Sequence, residues 1–189
     1  VTFSADGVYV LRITATDTQF TVSDQVTVAV GNAIAPADWV ALDMTPSTQQ
    51  RGQSTRMGTS YTLTGMGVGY AAQTNDGAHV MARQVSGDGS IVARITSLSG
   101  PAATPLAGVT IRDSLARASR RAVLGYSNGT LQLRTRTSVS TADTAITQAG
   151  ITLPVWVKLE RNSANNEITG SYAADNTGVP GTWTAMGAP

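Results

Sequence analysis

Apolar and polar residues alternate along most of this chain. Ile91, Ala93 and Ile95 share one parity and Val92, Arg94 and Thr96 the other. That period of two, carried by β-branched residues, predicts a strand with one dry face. Gly87-Asp88-Gly89 supplies a turn before it, and Leu98 falls off the parity, so the strand ends or bulges near Ser97. Ala107, Val109 and Ile111 repeat the pattern after the break at Ser99-Gly100-Pro101. Further strands are predicted at Tyr9, Leu11, Ile13 and Ala15, at Val26, Val28 and Val30, and at Ser60 to Thr64. Ala78 to Val85, Val155 to Leu159 and Ile168 to Ala174 complete the set. The polar stretch 49–60 reads as a loop, and 65–77, with four glycines, as an irregular crossing. No segment carries the 3.6-residue period of an amphipathic helix, so the chain is expected to be all-β.

The sharpest local prediction is a hairpin over Ala122 to Arg136. Asn128-Gly129 between two alternating runs is the signature of a type I′ turn. A two-residue loop fixes the register, so Ser127 faces Thr130, Tyr126 faces Leu131 and Leu124 faces Leu133. The four apolar residues then share the inner face. The opposite face carries Val123, Gly125, Gln132 and Arg134, with Arg121 and Arg136 at the hairpin base. Arg121, Gln132, Arg134 and Arg136 are therefore expected to point outward together. Arginine offers bidentate donors to carboxylates or sulfates, and glutamine hydrogen-bonds hydroxyls. Trp156 has the wrong parity for the inner row Val155, Val157 and Leu159, so it is either exposed or buried under a loop, packing at a sheet edge or offering a sugar platform.

Gly87-Asp88-Gly89-Ser90-Ile91-Val92-Ala93-Arg94 and Ala107-Gly108-Val109-Thr110-Ile111-Arg112-Asp113-Ser114-Leu115 resemble the concanavalin A-like β-sandwich modules of large secreted bacterial proteins. These modules are akin to β-xylosidase C-terminal and laminin G-like domains. The resemblance continues through Pro154 to Arg161, Gly170 to Asp175 and Trp183-Thr184, and covers 39–189. It implies a jelly-roll that continues past Pro189. Gly7 to Asp17 resembles the penultimate strand of polycystic-kidney-disease-type and cadherin-like domains. That implies that 1–31 are the last strands of a truncated immunoglobulin-like sandwich, with 32–38 as linker. The implied function is a non-catalytic accessory module of a secreted, extracellular multidomain protein. It would bind glycan or a cell-surface polymer and sit beside flanking domains of its parent chain. Such modules carry their carbohydrate site on the outer sheet face and its rim loops, so the resemblance implies Arg121, Gln132, Arg134, Arg136 and Trp156 as ligand-binding residues and, with their donors, an acidic polysaccharide as ligand. The alternatives are a structural spacer or adhesion stalk without a ligand and, more remotely, a glycoside hydrolase.

Composition removes several classes. The 189 residues include no cysteine and one histidine, His79, which excludes disulfides and ordinary zinc sites. A net charge of +1 gives no electrostatic case for nucleic acid, and no apolar run reaches the ~18 residues of a membrane span. A glycosidase needs two carboxyl groups across the scissile bond. The only glutamates, Glu160 and Glu167, flank one predicted turn and read as solvated charges. A Ser-His-Asp set can be composed around His79, but no nucleophile elbow accompanies it. No cofactor is expected. Asp6, Asp17, Asp24, Asp76 and Asp88 lie near strand ends or turns without calcium-loop spacing, which leaves calcium as the one metal to consider. Trp39, Trp156 and Trp183 are candidate sugar platforms.

Overall fold

A computed structural model describes residues 7–16, 19, 21–30, 39–45, 51–70 and 74–187. The chain forms an all-β sandwich, without a helix among the described residues. The strands are β1 (Gly7–Thr16), β2 (Thr21–Val30), β3 (Val40–Met44), β4 (Gln53–Met57) and β5 (Ser60–Thr64). They continue with β6 (Ala78–Ala82), β7 (Gly89–Ile95), β8 (Ala107–Arg112), β9 (Arg121–Ser127) and β10 (Thr130–Arg136). The last are β11 (Thr144–Ala149), β12 (Val155–Asn162), β13 (Glu167–Asn176), β14 (Val179–Pro180) and β15 (Thr184–Ala185). β1 and β2 form their own antiparallel pair, with Tyr9 opposite Val28 and Leu11 opposite Val26. The side chains of Tyr9, Leu11, Ile13, Val26 and Val28 lie outside the described residues, as do Asp6, Asp17 and the linker 32–38.

Two sheets make the core. One is four-stranded in the order β11-β10-β9-β8, and the other runs β14-β13-β12-β7 with β15 added beside β13. The Asn128-Gly129 turn forms with φ of 46° and 83°, and the register is the expected one, Tyr126 opposite Leu131 and Leu124 opposite Leu133. Leu124, Leu131 and Leu133 meet Val155, Val157 and Leu159 across the sandwich, and all six are buried. Gly170 is what lets the sheets close. A Cβ built there would lie 3.1 Å from a Leu133 methyl carbon.

The second face of the four-stranded sheet is also covered. Val123 packs there with Met44, Tyr70 and Val80, supported by Leu42, Ala78 and Leu106. The β3–β6 pair, with Tyr70 and Asp76 of the crossing segment, therefore lies over this face, and β9 is buried on both sides. A hairpin of β4 and β5, in register from Gln53 opposite Thr64 to Met57 opposite Ser60, replaces the loop expected over 49–60. Its strands are polar and mostly exposed, so no apolar alternation announced β4. β11 is exposed at every position and escaped the pattern for the same reason.

Candidate functional site

The register of β8, β9 and β10 sets Arg112 opposite Arg121 and Arg121 opposite Arg136. Three guanidinium groups thus stand in one row across adjacent strands. Like charges directly opposite one another are destabilising, so the row requires a counter-charge. Asp76 supplies it from the crossing segment. Its carboxylate accepts from Arg121 Nε at 3.0 Å and from Arg136 Nη2 at 2.7 Å, and lies 3.1 Å from Arg112 Nη1. Asp76 is itself fixed by Arg117, whose carbonyl accepts from the Asp76 N–H and whose Nε donates to the Asp76 carbonyl. Asp143, ahead of β11, accepts from Arg121 Nη2 and bidentately from Arg134. Burial raises the Asp143 carboxyl, but the hydrogen bonds from Arg134 and Arg121 outweigh it and hold it below the usual range. Tyr70 closes the cluster with its ring 4.9 Å from the Arg121 guanidinium, and burial pushes its phenol up to about 12.

This corrects the expected outward face. Arg121, Gln132, Arg134 and Arg136 do share one side of the hairpin, but that side is roofed. Arg121 is 4% exposed and Arg136 1%. Only 12% of the Arg134 side chain is exposed, and Gln132 accepts from Arg134 Nη1. Strand parity gave the face, whereas the roof comes from a glycine-rich segment without periodicity. Tyr70 and Asp76 make its contacts with the arginine row.

Trp156 sits elsewhere, on the solvent side of the five-stranded sheet. Three cross-strand rows define that side: Arg94–Trp156–Ala173, Val92–Lys158–Ser171 and Ser90–Glu160–Thr169. β15 extends the sheet by pairing Ala185 with Ser171 and Thr184 with Tyr172. Continuing that register one step places Trp183 beside Ala173, in the Trp156 row. Ala173 is 1% exposed although it faces outward, as expected for a small residue between two indoles. The two tryptophans then stand two strand spacings apart, about 9.5 Å.

Both rings are half-buried and held in place. Trp156 Nε1 donates to Asp175 Oδ1 at 2.8 Å, and Arg94 grips the same carboxylate with two hydrogen bonds of 2.7 and 2.8 Å. Those donors, Arg94 first, hold Asp175 at about 2, well below the usual carboxylate range. Lys158 Nζ lies 4.8 Å from the Trp183 ring and 2.8 Å from a Glu160 oxygen. Val92 stays 45% exposed beside them. Past Glu160 the face dips into an open depression of about 560 Å³ lined by Asp88, Ser90, Glu160, Asn162, Glu167 and Thr169 among others. Glu160 and Glu167 are both solvent-exposed there. Trp39 is not part of the row and lies 6.0 Å from the Arg83 guanidinium.

Asp88 accepts from the Ser163 N–H and hydroxyl, which draws its carboxyl below the usual range. Among the described residues no group of three or more His, Asp or Glu side chains is placed to hold a metal. No helix there is long and apolar enough to cross a membrane. The chain matches no protein-family model, no curated protein and no solved structure.

Proposed function

We propose that this chain is a glycan-binding module and that the outer face of the five-stranded sheet is its binding surface. One observation carries the proposal: Trp156 and Trp183 share a row on that face, each indole fixed by a polar neighbour. Flat apolar rings suit the C–H faces of sugars, and a ring already held in place loses little entropy on binding. Arg94, Asp175, Lys158, Glu160 and Thr169 flank the row with donors and acceptors for hydroxyls. The cations on this face are matched by carboxylates, so a neutral polysaccharide fits better than an acidic one. The case for an acidic polymer rested on Arg121, Arg134 and Arg136, which are buried or nearly so, and on Gln132, which is half-buried and bonded to Arg134.

This reading agrees with the resemblance of 39–189 to concanavalin A-like modules and of 1–31 to the end of an immunoglobulin-like domain. It makes the chain an extracellular accessory module that holds a larger secreted bacterial protein on a polysaccharide without cleaving it. Affinity electrophoresis through gels containing xylan, β-glucan, pectin or alginate tests it. Retardation by a neutral polymer, lost in Trp156→Ala and Trp183→Ala, is the expected result. Equal mobility in every gel would make the module a spacer instead.

A further inference from the structure

His79 lies on the far side of the β3–β6 pair from Val80, beneath the β4–β5 hairpin. Asp43 is its cross-strand partner. His79 Nδ1 lies 2.7 Å from Asp43 Oδ1, and His79 Nε2 lies 2.7 Å from Ser54 Oγ. Only 5% of the His79 side chain is exposed, and Ser54 is 7% exposed. Asp43 Oδ1 also accepts from the Gly52 N–H at 2.8 Å. The hydrogen bond from His79, then that amide, draws the Asp43 carboxyl below its usual range against a smaller opposing effect of burial.

An ionised carboxylate only accepts, so in the neutral ring Nδ1 carries the proton and Nε2 is left as the acceptor for the Ser54 hydroxyl. That is the tautomer in which an imidazole acts as general base toward a serine. Gly52 allows the approach, since a Cβ there would collide with His79 Cβ and the Thr64 carbonyl.

The hairpin also provides a donor for a developing oxyanion. Gly58 at the first loop position, with φ of 60°, gives a tight type II′ turn closed by the Met57–Ser60 pair. Bonded and non-bonded pairs alternate along an antiparallel ladder. Ser54, opposite Leu63, is three pairs further on and falls at a non-bonded position. Its N–H therefore turns away from β5, beside its own hydroxyl.

We propose that Ser54, His79 and Asp43 form a nucleophilic site that cleaves small acyl esters, such as O-acetyl groups. Ser54 Oγ bonds to the acyl carbon while its proton passes to His79 Nε2. The carbonyl electron pair moves onto oxygen, next to the Ser54 N–H. Collapse of the adduct breaks the ester C–O bond, and the alcohol leaves with the proton from Nε2. Water then attacks the acyl-serine, gives a proton to His79, and releases the carboxylic acid as Ser54 is re-formed. Asp43 touches no substrate and is a positioning residue. Ser54 is 7% exposed, and a short acyl chain asks for the least room at Oγ. The site lies on the opposite exterior of the molecule from the tryptophan row, so it stands or falls independently of glycan binding.

The test is to treat the whole chain with a fluorophosphonate at pH 8 and map the adduct by peptide mass spectrometry. 4-nitrophenyl acetate and octanoate are followed in parallel. A single adduct on Ser54 is expected, with acetate turned over faster than octanoate. His79→Gln is expected to slow labelling about 100-fold or more. Asp43→Asn is expected to lower kcat for the acetate ester with KM unchanged. Mapping the unsubstituted protein needs no variant to fold. An unmodified Ser54 there, or labelling of Ser54 no faster than in a His79→Gln protein of native circular dichroism, overturns the proposal.

Discussion

Asp76→Asn is the most informative single change for the fold. The side chain is fully buried and faces Arg112, Arg121 and Arg136 together. Asparagine keeps the shape and one acceptor but removes the charge that the three share at the centre of their row. Removing one partner of a buried ion pair costs about 3–5 kcal/mol, because the remaining charge stays buried and uncompensated. That is a large part of the ~5–15 kcal/mol by which a domain is stable. With a urea dependence of about 2 kcal/mol per molar, the midpoint should fall by about 2 M. Asp113→Asn is the control, since its pair with Arg120 is more than half exposed on both sides and should be worth under about 1 kcal/mol. Equilibrium urea unfolding followed by tryptophan fluorescence compares the two. Equal midpoints would refute the claim that Asp76 holds the arginine row in place.

Three further outcomes are expected. The Asp175 carboxyl titrates at about 2, below its ordinary ~3.9, so its contribution is present above about pH 4 and lost as the pH falls through 2. Trp156 emission should change in that window and not in Asp175→Asn, whereas a transition above pH 4 would contradict the assignment. Gly129→Ala puts a side chain at φ of 83° and should cost about 1–2 kcal/mol in thermal or urea unfolding. Gly170→Val drives a branched side chain toward Leu133 between the sheets and should cost about 1–3 kcal/mol or more, against under about 0.5 kcal/mol for Gly89→Ala, where a Cβ meets open space.

What could be read from the sequence follows from what makes each element form. The Asn128-Gly129 hairpin was legible to the residue because a two-residue loop leaves one register and alternating leucines mark its dry face. The placement of Trp156 off the core row was legible from parity alone. The arginine face was only half legible. Parity put Arg121, Arg134 and Arg136 on one side, but the segment that roofs them joins through Tyr70 and Asp76, without any repeating pattern. β4 and β11 left no trace because neither has an apolar stripe to bury. The Ser54–His79 contact spans 25 residues of sequence and depends on that unseen hairpin, whereas Asp43 meets His79, 36 residues away, across the β3–β6 pair. The Trp156–Trp183 row needed β15, two residues long and unmarked by any pattern.

Titrating the protein with a neutral xylo- or gluco-oligosaccharide, while recording backbone amide shifts by NMR, tests the binding surface most directly. The account predicts shifts confined to Arg94, Trp156, Lys158, Ala173 and Trp183 and their strand neighbours, and none of them in Trp156→Ala. Shifts centred on Gln132 and Arg134, or saturation undiminished in Trp156→Ala, would contradict it.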